Sequence, residues 1–297
     1  MKWLPGQPVV DARTPALKAR LERARARLGR APKLRVFLVG EDPASHIYVE
    51  MKRKRGIALG VEVEVVRLSS GSTAPTLWSL ITQANQDPSV DGILIQRPLP
   101  FAAEAPGAPG LQEWVSASKD VDAFHPFHLG RLGQGEPQIT ACTPAGIMAL
   151  LDHYEIELEG RLACVVGRSP LVGQPMGLAL LNRSATLIQC HRKTERLSAL
   201  TRQADLLVVA AGSRGLITAQ HVKPGAVVVD VGIHKKSQGG ITGDVLADEV
   251  SKIAAQMTPV PGGVGPLTVH FLFENLVTLT EARDPISGVT RLYTERA

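Results

Sequence analysis

The sequence predicts an α/β protein made of two α/β units. Short apolar runs alternate with helix-length stretches along most of the chain, which implies parallel sheets covered on both faces. The alternation occurs twice, with a polar, irregular stretch between the two runs. Apolar residues make up 44% of the 297, close to the globular average and enough for a sizeable core.

The elements follow in order. Arg35–Val39 (RVFLV) reads as a buried strand ending at Gly40. Ala44–Leu59 is helical, Val61–Leu68 alternates like a half-exposed strand, Pro75–Asn85 is helical and Gly92–Ile95 (GILI) is a short strand. Pro98–Gly110 is a loop rich in Pro and Gly, and Asp120–Gly135 reads as polar and irregular. Thr143-Pro144 opens a helix, with Thr143 as N-cap and Pro144 at the first helical position. Arg161–Val166 is a strand, Val172–Asn182 a helix, Ala185–Gln189 a strand and Glu195–Gln203 a helix. Leu206–Ala210 and Ala226–Val231 are strands. Gln256–Pro259 is a last strand-like piece before a Gly/Pro loop and a C-terminal helix, Leu267–Ala282.

Composition excludes several classes. No apolar run approaches the ~18 residues that span a bilayer, so no membrane role is expected. The N-terminus lacks the apolar core of a secretory signal. Cys142, Cys164 and Cys190 lie far apart without a CxxC pair, which excludes a disulfide scaffold and argues against a cysteine zinc site. The expected compartment is the reducing cytoplasm. The net charge of +5 suits small polyanionic ligands. Much of the excess lies in Arg20–Arg35, which is expected to be a solvated helix face. No aromatics interleave with those charges, so no nucleic-acid partner is expected.

Five constellations could carry chemistry. In LACVVGRSPLVGQPMG a strand ends at Gly167 and a helix follows, the context in which free N–H groups and the helix dipole face an anion. The Gly167 and Gly173 spacing is not the G-x-G-x-x-G fingerprint, and an ordinary strand-to-helix turn is the alternative. After the next strand, Gln189–Thr194 has cations where an NAD-specific site places a carboxylate. Arg168 and Arg192 could flank a 2′-phosphate, so NADP preference is expected; surface cations are the alternative. Ser45, Tyr48 and Lys52 share one helix face, either as a solvent-facing polar stripe or as a pocket wall. A lysine shielded from water, or beside a cationic ligand, can act as a base. Gln96 ends a parallel strand, where α/β sheets bind ligands. Asp120 and Asp122 lack the further oxygen ligands of a hard cation, so no metal is expected. The loop Thr258–Thr268 (TPVPGGVGPLT) is stiff and allows close approach, although alone it reads as a turn.

Together these segments resemble the bifunctional methylenetetrahydrofolate dehydrogenase/methenyltetrahydrofolate cyclohydrolase family. The resemblance rests on VGEDPASHIYVEMKRK, DGILIQRPLP, KDVDAFHP, CTPAGI, VVGRSPLVGQPM, KPGAVVVDVGI, GDV and TPVPGGVGPLTV, in that order. It implies a folate-binding catalytic domain of residues 1–142 plus 268–297, a Rossmann-like NADP-binding domain of residues 143–267, and an active-site cleft between them. It implies oxidation of 5,10-methylenetetrahydrofolate by NADP and hydrolysis of the methenyl product to 10-formyltetrahydrofolate. By the same resemblance Lys52 is the base or proton shuttle, Tyr48 positions the folate, Gln96 holds Lys52 and Asp122 binds the pterin edge. Val260, Pro261, Gly262, Gly263, Pro266 and Thr268 line the folate pocket. Gly167, Arg168, Ser169, Gly173, Arg192 and Ile233 contact NADP. A homodimer joined through the cofactor domains is also implied.

Some residues depart from the family pattern. Arg97 stands where leucine is usual, Ala123 where glycine is, Ala141 where proline is, and His270 where a small residue is. Arg97 is expected either to bind a glutamate tail or to face solvent. The rival readings are a dehydrogenase without cyclohydrolase activity and a non-catalytic nucleotide-binding protein on the same fold.

Overall fold

The structure, a computed structural model, describes residues 1–102, 109–236 and 239–283. It begins with β1 (Lys2–Trp3), α1 (Gln7–Leu28), β2 (Lys33–Val39) and α2 (Pro43–Ala58). β3 (Glu62–Leu68), α3 (Ala74–Gln86), β4 (Gly92–Ile95) and α4 (Pro126–Gly133) follow. Next come α5 (Cys142–His153), β5 (Leu162–Val166), α6 (Gly173–Leu181), β6 (Thr186–Cys190), α7 (Leu197–Thr201) and β7 (Leu206–Val209). Then come β8 (Val227–Asp230), β9 (His234–Lys235), β10 (Ile241–Thr242), α8 (Ala247–Val250), β11 (Gln256–Met257) and α9 (Val264–Ala282).

The chain divides into two units. One comprises Met1–Ala12 with Thr143–Thr268; the other comprises Arg13–Cys142 with the chain from Val269. The first unit holds a parallel sheet of order β1-β11-β8-β7-β5-β6. Its core includes Cys164, Val166, Leu207, Val209, Val228 and Met257. β5 and β7 are apolar at nearly every position because both faces of the sheet are buried. The second unit holds a parallel sheet of order β3-β2-β4, packed on Phe37, Leu77, Ile81, Ile93 and Trp114. Each fully buried Leu, Ile or Phe contributes about 1.5–3 kcal/mol of transfer free energy.

The structure differs from the sequence expectation in several places. Residues 1–12 do not group with the rest of 1–142. Lys2 and Trp3 pair with Gln256 and Met257, and the Gly6 N–H donates to the Gly262 carbonyl at 2.8 Å. A two-residue edge strand has no readable period, and its partner lies far along the chain. α1 was expected only as a solvated helix face from Arg20 onward, whereas it starts at Gln7 and buries Val9, Val10, Leu17, Leu21 and Ala24. The basic run is not a simple solvated face. Arg20 donates to Thr278 Oγ1 and Glu281, Arg27 to the Thr280 and Glu281 carbonyls, and Arg30 to Asp91. Arg23 and Arg25 are exposed as expected.

Asp120–Gly135 is not wholly irregular, since it contains α4. His125 caps that helix, its Nδ1 accepting the Phe127 N–H at 3.1 Å, and Pro126 takes the first turn. Thr143 lies inside α5 rather than capping it, and its hydroxyl meets that of Thr268 at 2.9 Å. The helix expected over Glu195–Gln203 shortens to Leu197–Thr201, because Arg196 adopts the left-handed conformation at φ 53°. Within the loop Pro98–Gly110, residues 103–108 lie outside the described residues.

Candidate active site

Both sheets have a switch point, where the second strand lies on one side of the first strand and the third strand on the other. α/β sheets bind ligands beyond the carboxyl ends at such points. In the second unit the switch falls between β2 and β4. Gln96 follows β4 there, and its N–H donates to the Phe37 carbonyl at 2.9 Å.

The first turn of α2 is fixed by Asp42, whose carboxylate accepts both the N–H and the hydroxyl of Ser45 at 2.8 Å. Ser45 is buried at 2% exposure and also reaches the Arg97 carbonyl at 3.3 Å. Tyr48 and Lys52 are half-buried on the same face, so the stripe is not solvent-facing. Lys52 Nζ donates to Gln96 Oε1 at 3.0 Å. Gln96 Nε2 donates to the Arg97 carbonyl at 2.8 Å, which turns the amide oxygen towards the lysine. Burial holds the Tyr48 phenol above its ordinary pKa, so it keeps its proton near neutrality.

The Lys119–Asp122 segment hydrogen-bonds alongside β4, with the Ile93 N–H donating to the Lys119 carbonyl at 2.7 Å. Its three ionisable groups have different environments. Lys119 turns inward and donates to the carbonyls of Ala84 and Asp87 at 3.0 and 2.7 Å, at the end of α3. Burial lowers its pKa to about 8. Asp120 is 4% exposed, accepts the His125 N–H at 2.7 Å, and is pushed up to about 7 by burial. Asp122 is half-buried and lines a small pocket with Arg97 and Phe124. Burial raises its carboxyl pKa, while the charges of Lys52 and Arg97 and the Cys142 thiol pull it down. Asn275 steadies this segment, with Nδ2 donating to the Val121 and Thr140 carbonyls, each at 2.9 Å.

Two departures from the family pattern find their places here. Arg97 is half-buried, with its guanidinium 5.8 Å from the Phe124 ring centre, so it does not simply face solvent. His270 is buried between Arg55, whose Nη2 lies 3.0 Å from Nδ1, and Glu274, whose Oε1 lies 3.1 Å from Nε2. Arginine can only donate, so Nδ1 accepts and Nε2 carries the proton given to Glu274.

In the first unit the switch point lies between β5 and β7. Gly167 ends β5 at φ 134°, and a Cβ there would run into the Ala210 carbonyl beyond β7. A Cβ on Gly173 would run into the Gly167 carbonyl. Only glycine lets the three segments approach this closely. Gln189 Nε2 donates to the carbonyls of Gly167 and Gly173 and binds the turn together, a role the sequence reading did not give it. Ser169 Oγ accepts the Val172 and Gly173 N–H groups at 3.2 and 3.4 Å, at the start of α6. In front lies a cleft of about 600 Å³, lined by Gly167, Arg168, Ser169, His191, Arg192 and Ala211 among others. The volume suits a nucleotide-sized ligand. The Gly-shaped turn, the helix start and the rim cations Arg168 and Arg192 suit a phosphorylated one. Ile233 is 47% exposed beyond β8 and is not part of this lining.

Residues 258–268 also lie in the first unit. Gly262 has φ 100°, and a Cβ on Gly6 would strike the Gly263 carbonyl. Pro261 and Gly262 are exposed; Val260, Pro266 and Thr268 are half-buried.

Comparison with known proteins decides the family. Residues 4–122 match the tetrahydrofolate dehydrogenase/cyclohydrolase catalytic domain, and residues 141–284 match the NAD(P)-binding domain of the same family. The chain belongs to the tetrahydrofolate dehydrogenase/cyclohydrolase family. The bifunctional protein FolD of Parasynechococcus marenigrum is 49% identical over 251 residues, covering 84% of each chain. The solved bifunctional FolD of Campylobacter jejuni matches with a TM-score of 0.89 at 43% identity, covering 95% of this chain and 99% of that one. The Trypanosoma brucei FolD, solved with NADP cofactor and an inhibitor, has a TM-score of 0.86 at 32% identity, covering 93% and 96%. Within this family assignment, Tyr48, Lys52, Gln96 and Asp122 fall in the matched catalytic domain. Gly167, Arg168, Ser169, Gly173, Arg192 and Ile233 fall in the NAD(P)-binding domain, as do Val260–Thr268.

Proposed function

We propose that this chain oxidises 5,10-methylenetetrahydrofolate with NADP and hydrolyses the methenyl product to 10-formyltetrahydrofolate. The observation that carries the reading is the 3.0 Å hydrogen bond from Lys52 to Gln96 beyond β4, on a half-buried face next to the Asp122 pocket. Bound NADP supplies the hydride acceptor. Gly167, Arg168, Ser169, Gly173 and Arg192 would hold it, with Ile233 beyond β8. The cations of Gln189–Thr194 and the lack of a carboxylate there favour the 2′-phosphate.

Asp122 accepts the paired N–H donors of the pterin edge, which fixes orientation as well as affinity. Burial raises the pKa of its carboxyl, and the charges of Lys52 and Arg97 partly offset that rise. Tyr48, still protonated, positions the folate. Lys52 takes the proton of the attacking water, and a cationic methenyl ring next to it favours its neutral, basic form. Gln96 keeps the amine aimed. Val260, Pro261, Gly262, Gly263, Pro266 and Thr268 hold the folate largely through main-chain contacts.

Among the described residues no helix is long and apolar enough to cross a membrane. The protein works in the cytoplasm as a homodimer joined through its cofactor domain. Sedimentation of the purified protein tests the dimer.

The activity is tested by absorbance. Purified protein is mixed with 5,10-methylenetetrahydrofolate and NADP, then NAD, while NADPH and methenyl-folate are followed. NADP-dependent reduction with methenyl-folate consumed faster than in buffer is the expected result. Methenyl-folate that accumulates and decays only at the buffer rate leaves a dehydrogenase alone.

A further inference from the structure

Two buried carboxylates lie behind the dinucleotide cleft. Asp230 ends β8 and Asp244 follows β10; they are 2% and 0% exposed. Asp230 Oδ1 accepts the N–H groups of Gly232 and Asp244 at 2.9 and 3.0 Å, and Oδ2 accepts that of Val245 at 3.1 Å. Asp244 Oδ2 accepts the N–H groups of Ala211 and Gly212 at 2.7 and 2.9 Å. Asp244 Oδ1 accepts His234 Nε2 at 2.6 Å. A Cβ on Gly243 would fall on the Asp230 carboxylate, and one on Gly232 would fall on Asp244. The chain therefore closes around both acids with no space to spare. The Asp230 N–H donates in turn to Thr258 Oγ1 at 2.8 Å, where the Gly/Pro loop begins.

These bonds join the end of β7, the segment after β8, and the segment after β10. Five of the six donors to the two carboxylates are main-chain groups fixed by the fold. The sixth is a side chain, His234, on the short β9–β10 ribbon with 21% of its surface exposed. Ala211 lines the cleft, and Ile233 directly precedes His234 in sequence.

We infer that His234 is a positioning residue for the dinucleotide, holding Asp244 so that Asp244 can anchor Ala211 and Gly212 at the base of the cleft. A carboxylate only accepts, so Nε2 carries the proton in this bond. Without that donor, Asp244 Oδ1 is a buried charge with no side-chain partner. The carboxylate is then free to turn, which weakens its hold on the two amides. The same bond steadies Ile233.

The inference rests on the dinucleotide reading above, and NADPH fluorescence titration tests the two separately. Wild-type protein that does not bind NADPH overturns that reading itself. Given binding, His234→Leu, which keeps bulk without a donor, should raise the NADPH Kd about fivefold or more, the lower end for a buried acceptor left unsatisfied. His234→Gln, which keeps an N–H donor, should stay within about twofold of wild type. In steady state, KM for NADP should rise in the leucine variant while kcat and the folate KM stay within about twofold. An unchanged Kd in the leucine variant, or equal weakening in both variants, overturns the inference. If the leucine variant does not fold, the glutamine variant decides: near-wild-type affinity supports the inference and fivefold weaker binding overturns it.

Discussion

Lys52 Nζ donates a hydrogen bond to Gln96 Oε1, and Gln96 is held in register by its other end on the Arg97 carbonyl. The amine is thus aimed by a neutral amide and not by a carboxylate. Lys52→Met should therefore slow methenyl-folate hydrolysis at least a hundredfold. Lys52 is half-buried and makes one side-chain bond, so melting should move by no more than about 2 °C. Methenyl absorbance decay and a thermal melt check both; full hydrolysis by the variant rejects the role.

Arg168 follows β5 and Arg192 follows β6, and both line the cleft. Charge-assisted bonds to a phosphate contribute about 1.5–3 kcal/mol each. Replacing Arg192 by alanine should lower kcat/KM for NADP about tenfold and leave the NAD value within about twofold. Steady-state kinetics with both dinucleotides give the ratio. Equal losses with both would remove the 2′-phosphate contact from Arg192.

Glu274 gives the fold an acid-sensitive point. Burial pushes its pKa up, but the bonds from His270 and Arg13 outweigh burial and hold it at about 2. The folded pKa is below the unfolded one, so this stabilisation is fully present above about pH 5 and is lost as pH falls towards 2. The pKa difference corresponds to about 3 kcal/mol. The urea midpoint should fall from pH 5 to pH 3 in the wild type and more shallowly in Glu274→Gln. Parallel slopes would show that Glu274 does not carry the effect.

Lys119→Met removes two donors from carbonyls at the end of α3. Leaving them unsatisfied should cost about 1–3 kcal/mol, read as a lower denaturation midpoint at pH 7. The folate KM should rise as well, because Asp122 lies three residues on in the same segment. A stable variant with unchanged KM would show that Lys119 supports neither.

The sequence made the strands legible because buried parallel strands are continuous apolar runs. GILI and RVFLV fall within observed strands almost residue for residue. Gly167 and Gly173 were legible because only glycine tolerates that approach. Lys119 was read with the acidic cluster, since nothing local shows that its side chain turns back to a helix end. Gln189 and the His234–Asp244 pair were missed for the same reason: their partners are backbone atoms or residues on other segments. α1 was obscured by its arginines, of which Arg13 and Arg20 have acceptors in α9.

The pairing of β1 with β11 also bears on the order of events as the polypeptide is made. Lys2 and Trp3 leave the ribosome long before the segment they pair with, Gln256–Met257. The β3-β2-β4 sheet can close once Ile95 has appeared. Those two residues must wait unpaired until nearly all of the sheet they join has been synthesised. N-terminal domains generally fold first during synthesis. Here the segment of β1 is the exception, since its docking closes a very long loop and belongs late in folding.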